Sequence, residues 1–148
     1  MRLLFAIVHY YKAGDGRHGS LAPDSRLRID ALRCLILQLH RLYGQPAGLL
    51  NHYKRRVDGV NDGGGPLDLR VCVSGDCHVL DRLSDCEGLY RREACQPEDP
   101  RLLGLEAQRV LIEAFHAAET AGNPFDYVAY LEDDILLTDA DFFLKLRF

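Results

Sequence analysis

The sequence lacks any apolar run of about 20 residues, the length that a membrane-spanning helix needs. The opening stretch MRLLFAIVHYYK has one arginine and a short apolar core, but no small-residue cleavage site, so it is a poor secretory signal. A net charge of −4 provides no excess of basic residues for nucleic acid or an anionic membrane. We therefore expect a cytoplasmic protein with no transmembrane segment and no nucleic-acid partner.

Paired cysteines at metal-binding spacing are also lacking. The number of cysteines, five, is odd, and no two of them form a C-x-x-C pair, so neither a disulfide framework nor a structural zinc site is indicated. Cys86 and Cys95 bracket a charged loop and could pair in an oxidising compartment. Reduced thiols in a cytosolic protein are the favoured interpretation.

The 148 residues do contain apolar segments of strand length, and the chain is long enough for one domain with a single core. Strands are predicted near 3–8, 67–74 and 125–131. The first is a continuous apolar run, typical of a parallel strand that is covered on both faces.

Helical patterns lie between and after these strands. Three helices are predicted: one from Asp24 or Ser25 to Gly44, one from Asp99 to the GNP turn at 122–124, and one that begins at Thr138 or Asp139. The alternation of strands and helices predicts a three-layer α/β domain with a mostly parallel sheet.

Three adjacent carboxylates, Glu132, Asp133 and Asp134, follow the third predicted strand and precede another apolar run. Adjacent like charges that are partly desolvated need a positive partner. A solvated acidic turn before a helix explains Asp139 and Asp141, but it does not explain a triplet between VAYL and ILL. A hard cation such as Mg²⁺ or Mn²⁺, which prefers oxygen ligands and shares its coordination shell with substrate phosphates, is the favoured partner.

The position of the triplet along the predicted sheet supports a ligand site. In parallel α/β sheets, ligands bind beyond the carboxyl ends of the strands. Both the HYY sequence after the first strand and the EDD sequence after the third fall at such ends.

Two segments resemble a known family. YLEDDILLTDADFF (130–143) resembles the metal-binding segment of glycosyltransferases with the GT-A fold, in the Glu-Asp-Asp form of their Asp-x-Asp motif found in N-acetylglucosaminyltransferases of the N-glycan pathway. GLEAQR (104–109) resembles the Gly-x-x-x-Ala-Arg helix start of bacterial GT-A enzymes. Gly104 and Arg109 keep its spacing, whereas Gln108 replaces the alanine. The element order of nearly the whole chain agrees with this family, but the motif match is confined to these segments.

The resemblance implies a role for each matching residue. Asp134 would bind the metal, Mn²⁺ or Mg²⁺, that bridges the nucleotide diphosphate. Glu132 and Asp133 would face the ribose and base, directly or through water, and Arg109 would contact the nucleotide or pair with a nearby acid. The base would lie beside the ends of the first two predicted strands, near His9, Tyr10 and Asp76.

The resemblance also implies an activity of the hexosyltransferase type: transfer of a sugar from a UDP- or GDP-sugar to a hydroxyl of a glycan or other acceptor. In this family the second half of the domain supplies most of the acceptor site and, in inverting enzymes, the Asp or Glu that deprotonates the acceptor hydroxyl. The present chain ends in the helix after the acidic triplet, so we expect residues 1–148 to be a truncated, nucleotide-sugar-binding part with no catalytic residue of its own. The apolar FFLKLRF helix predicts self-association.

Two other classes stay open at this point. A nucleotide- or metal-binding module without transferase activity would have the same acidic triplet. A phosphotransfer receiver-like domain also clusters acids at strand ends, but it needs an early acidic pair after the first strand, where this sequence has HYY. The receiver-like alternative is therefore disfavoured.

Overall fold

The computed structural model describes residues 1–16, 19–46, 48–59 and 66–146 of the chain. The strands in this part are β1 (Leu3–Val8), β2 (Gly48–Asn51), β3 (Arg56–Gly59), β4 (Leu67–Ser74), β5 (Arg91–Cys95) and β6 (Tyr127–Glu132). The α-helices are α1 (Arg26–Tyr43), α2 (Leu103–Thr120) and α3 (Phe142–Lys145). None of these helices is both long and apolar enough to span a lipid bilayer.

Four strands form one parallel sheet in the order β5-β4-β1-β6. β1 is a central strand, in which Leu3 pairs with Leu67 on one side and with Tyr127 on the other. The three predicted strands are all present in this sheet, and the third begins two residues later than predicted. The predicted parallel α/β sheet is thus confirmed.

Helices cover the two faces of the sheet. Alternate residues of β1 point to opposite faces, as the period of a strand requires, and each face has its own buried cluster. On one face, Phe5 and Ile7 pack with the buried residues of α1, which are Leu32, Leu35, Ile36, Leu39 and Tyr43. On the other face, Leu4 and Ala6 pack with those of α2, which are Leu103, Ala107, Val110, Leu111, Ala114 and Ala118. Two helices on opposite faces give the layered arrangement that the pattern predicts.

The two long helices begin close to the predicted caps. Ser25 is the residue before α1, but its side chain makes no capping bond, and Asp24 Oδ1 instead accepts the Arg26 N–H at 3.0 Å. Asp99 accepts the backbone N–H of Arg101 and starts a 3₁₀ turn that leads into α2. Gly122, with φ of +68°, follows α2 and allows the chain to turn.

Some elements differ from the sequence-based prediction. β5 and the β2–β3 hairpin fall in segments for which no strand is predicted. The third helix is shorter than its pattern indicates: it starts after Asp141 rather than Thr138 or Asp139. Residues 147–148 of that predicted helix lie outside the described residues.

Candidate functional site

The sheet has a point where the direction of strand addition reverses. From β1 the chain adds β4 and then β5 on one side, and then returns through α2 to place β6 on the other side of β1. The consecutive crossover helices α1 and α2 therefore lie on opposite faces of the sheet, and the switch point, where open α/β sheets bind ligands, falls between the carboxyl ends of β1 and β6. We call this strand-end region the crevice between β1 and β6. Val8 and Glu132, the last residues of these strands, are in register. The residues that follow them meet across the crevice.

His9 and Asp133 directly follow β1 and β6 and lie side by side in this region. His9 is completely buried and Asp133 is 4% exposed, and the His9 Nδ1 lies 2.5 Å from Asp133 Oδ2. The backbone N–H of Val79 donates to His9 Nε2 at 3.1 Å. Since Nε2 accepts, the hydrogen-bond network assigns the ring hydrogen to Nδ1, which donates to the carboxylate. The pair joins the ends of β1 and β6 to the loop after β4.

Arg28, in the first turn of α1, supplies the positive charge that the acidic triplet needs. Its Nη1 lies 2.7 Å from Asp133 Oδ1 and 3.6 Å from Asp134 Oδ2. The Arg28 side chain is only 18% exposed. Asp133 therefore has one oxygen bonded to His9 and the other to Arg28, and its charge is compensated from within the protein.

The other two acids of the triplet face solvent. The Asp134 side chain is 59% exposed and, within the described part of the chain, contacts only Arg28, at the longer distance, and Glu132 is also exposed at the end of β6. These two carboxylates fit a cation that takes one or two protein ligands and completes its shell with phosphate and water. In the described ranges, no three His, Cys, Asp or Glu side chains are grouped to hold a metal by themselves.

Tyr10 and Asp76, the residues expected near a base, lie at the same edge of the sheet. Tyr10 is half-buried, and burial, followed by the neighbouring Cys77 thiol, raises the pKa of its hydroxyl. Asp76 follows β4 and is fully exposed, with Arg92 Nη2 at 4.0 Å. The backbone N–H of Tyr11 donates to the Cys77 carbonyl and holds the two strand ends together.

Arg109 is not brought to the acidic triplet by any contact. It lies on the exposed surface of α2, where it bonds Glu106 at 2.8 Å and Glu113 at 2.6 Å on its own helix. These two carboxylates raise the pKa of Arg109. Gly104, in the same matching segment, does approach the strand end: a Cβ at this position would lie 3.0 Å from the Tyr130 hydroxyl.

Sequence reasoning did not identify Arg28 as a site residue. It is separated from Asp133 by 105 positions, so no local motif connects them. A signal does exist, because α1 begins at the same edge of the sheet as the triplet, and a cation in its first turn can reach that edge. Arg26 and Arg28 are the two candidates in that turn.

A second concave region lies at the opposite edge of the sheet, where the strands begin. It encloses about 310 Å³ and is lined in part by Arg2, Pro66, Asp68 and Phe125. The Arg2 guanidinium is 4.0 Å above the centre of the Phe125 ring, and the Arg2 backbone N–H donates to Asp126. These contacts hold the strand starts together, so we assign this region a structural role.

Comparison of the chain with protein-family models, with curated proteins and with solved structures finds no match. The functional interpretation therefore depends on the geometry of the crevice between β1 and β6, together with the motif resemblance of its acidic segment.

Proposed function

We propose that the crevice between β1 and β6 binds a nucleoside diphosphate sugar, a UDP- or GDP-sugar, together with Mn²⁺ or Mg²⁺. We further propose that the chain is the donor-binding part of a glycosyltransferase with the GT-A fold. The observation that carries the proposal is the convergence of His9 and the acidic triplet at the switch point of the sheet, the position where open α/β sheets bind ligands.

The exposed carboxylates are suited to the cation. Asp134 would be the main metal ligand, as the motif resemblance implies, because its side chain is 59% exposed and its contact to Arg28 is as long as 3.6 Å, and the exposed Glu132 would assist it. A bound cation would neutralise the negative charge that accumulates on the leaving diphosphate. Tyr10 and Asp76 would flank the base, the first by ring contact and the second by accepting a hydrogen bond.

Asp133 has a positioning role in this proposal. Both of its oxygens are engaged, by His9 and by Arg28, so it orients these two side chains rather than the ribose or base. Any contact of Asp133 with the nucleotide would have to pass through a bridging water. Arg109 would act on the nucleotide only if it released its two glutamate partners.

A binding module without transferase activity is the second candidate. Transfer to an acceptor hydroxyl needs a group that removes the proton. His9 and Asp133, the buried ionisable groups of the crevice, are hydrogen-bonded to each other, and His9 also accepts from the Val79 N–H. Because these bonds occupy both groups, they favour ligand binding over proton transfer. Nucleotide binding without turnover, when glycan and small-molecule acceptors are screened, would distinguish this candidate.

Calorimetric titration with UDP and GDP, with and without Mn²⁺, tests the proposal. We expect clearly tighter binding of one nucleotide when Mn²⁺ is present, because the phosphates complete the coordination shell. Asp134→Ala should abolish this metal-dependent gain. Asp141→Ala is the matched control, because Asp141 precedes α3 and should affect mainly that helix. Equal nucleotide affinity with and without Mn²⁺ would refute the proposal.

A further inference from the structure

Arg28 has hydrogen-bonding capacity that the protein does not use. A guanidinium carries five N–H donors, yet among the described residues only Nη1 of Arg28 has partners, Asp133 and Asp134. Its Nε is buried and has no hydrogen-bond partner in the same part of the chain. Nη2 also has no partner among the described residues and, unlike Nε, is not buried, so it is the donor that a ligand can reach. A largely buried cation with an unused, accessible donor at a strand-end site indicates a missing acceptor.

Phosphate oxygens match this donor arrangement. Charge-assisted bonds between arginine and phosphate are strong, and Nη2 can donate to a phosphate oxygen while Nη1 keeps its bond to Asp133. Arg28 is 3.6 Å from Asp134, the residue that the proposed function assigns to the cation. A diphosphate bound to that cation would therefore lie within reach of the guanidinium.

At this distance, the positive charge of Arg28 disfavours the binding of a divalent cation without a nucleotide. Arg28 and a divalent metal at Asp134 would be like charges a few ångströms apart, and the nearby Asp133 is already neutralised by Arg28. A diphosphate carries enough negative charge to attract both. We infer that Arg28 is the diphosphate-binding residue of the site and that its charge makes metal binding conditional on the nucleotide; this inference rests on the proposed function.

The inference predicts opposite effects of one substitution. In Arg28→Gln, Mn²⁺ alone should bind at least about twofold more tightly, because the repelling charge is gone. UDP or GDP in the presence of Mn²⁺ should bind at least about tenfold more weakly, because the phosphate loses a charge-assisted bond. Inorganic pyrophosphate with Mg²⁺ should show the same loss, since the contact is to phosphate and not to the base.

Two further variants control for folding and for charge. Arg28→Gln combined with Asp133→Asn removes both charges of the buried pair, so it leaves no orphaned carboxylate, and its melting temperature shows whether the fold is kept. It should keep the weakened pyrophosphate binding. Arg26→Gln removes the same charge from the same helix turn, but Arg26 pairs with Asp24 on the surface, so both affinities should stay unchanged.

Calorimetry on the wild-type chain and the three variants separates the outcomes. Opposite shifts of the metal and nucleotide affinities in Arg28→Gln, absent in Arg26→Gln, support the inference. A loss of both affinities in the folded double variant, or no change in either, overturns it, since Arg28 would then be a structural ion-pair partner or irrelevant to the ligand. Absence of metal-dependent nucleotide binding in the wild type would instead refute the proposed function itself.

Discussion

At the scale of single residues, the acidic triplet divides into one internal and two external carboxylates. Asp133 points into the protein, where His9 and Arg28 bond its two oxygens, whereas Asp134 and Glu132 face solvent. The chain turns directly after β6, where the Ile135 N–H donates to the Glu132 carbonyl, and Asp133 points inward from this turn. One sequence motif therefore serves two purposes: its middle residue stabilises the fold, and its outer residues are available to a ligand.

Substitution of the internal and the external aspartate should separate these purposes. Asp133→Ala leaves Arg28 and His9 buried without their partner, and we expect it to lower the free energy of unfolding by about 3–5 kcal/mol. Asp134→Ala removes a solvent-exposed carboxylate, and its effect should stay below about 1 kcal/mol. Urea unfolding of the two variants measures both values. Comparable losses in the two variants would contradict the division.

At the scale of secondary-structure elements, both ends of α1 are hydrogen-bonded to the segment that follows β6. Arg28, in its first turn, bonds Asp133, and the hydroxyl of its last residue, Tyr43, donates to the Asp139 carbonyl at 2.7 Å. The Tyr43 ring also packs edge-on against Phe143 of α3. Phe143 is thus part of the core, which explains why the apolar C-terminal segment is less exposed than its sequence suggests.

The Tyr43 hydroxyl gives this attachment a dependence on pH. Burial, followed by the negative charge of Asp139, raises the pKa of Tyr43 from 10.0 to about 12. Between these values the folded protein holds a proton that the unfolded chain has lost, so the free energy of unfolding falls as pH rises. Below pH 10 we expect the free energy of unfolding of the wild type to exceed that of Tyr43→Phe by about 0.5–1.5 kcal/mol, the contribution of one hydrogen bond.

This advantage of the wild type over Tyr43→Phe should shrink between pH 10 and pH 12, as the hydroxyl ionises. Urea unfolding of both proteins at several pH values across that window provides the measurement. Tyr53→Phe is the matched control, because Tyr53 is completely exposed, and its difference from the wild type should not change with pH. A constant gap for Tyr43→Phe would show that its hydroxyl is not protected by the fold.

The sequence predicted those elements whose side chains are buried in a regular pattern. β1 and β4 are largely apolar because both of their faces are covered, and α2 is marked by Asp99, Pro100 and a regular stripe. β5, with the sequence RREAC, lies at a sheet edge where its arginines are exposed, so no apolar period marks it. The hairpin strands β2 and β3 are short and mostly exposed and carry no such pattern either.

The candidate site, like the fold, was predictable only in part. The strand-end rule places His9, Tyr10 and the triplet at one edge because each directly follows a recognisable strand. It does not predict which carboxylate faces inward, since that depends on the path of the chain after β6. The pairing of Arg28 with Asp133 depends on tertiary packing between α1 and that segment, which a single sequence does not encode locally.

At the scale of the whole molecule, the two edges of the parallel sheet differ in chemistry. The β5 edge carries Arg91, Arg92 and Glu93, charges that discourage pairing with another strand. The β6 edge has the sequence YVAYLE, with neither lysine nor proline. Beside it, an apolar groove of about 300 Å³ between β6 and α2 is lined by Gln108, Leu111, Ile112, Phe115, His116 and Val128.

An apolar edge strand next to an apolar groove favours association of the isolated chain. Phe142 and Leu146 also remain exposed, so the predicted self-association through the C-terminal helix stays a prediction, with a smaller surface than its sequence suggested. Because the groove and the β6 edge are adjacent, we expect these two surfaces to contribute more to self-association than the C-terminal helix does. Light scattering should show an average mass that rises with protein concentration.

Val128→Lys should lower this association, because it places a charge on the exposed face of β6, where Val128 is 43% exposed. Leu27→Lys adds the same charge at an apolar side chain that is 80% exposed on α1 and does not line the groove between β6 and α2, and it should leave the association unchanged. Melting temperatures of both variants, measured in parallel, show that each remains folded. An equal decrease of the average mass in the two variants would mean that net charge, rather than the β6 edge, controls association, and a wild type of constant monomer mass would refute the prediction altogether.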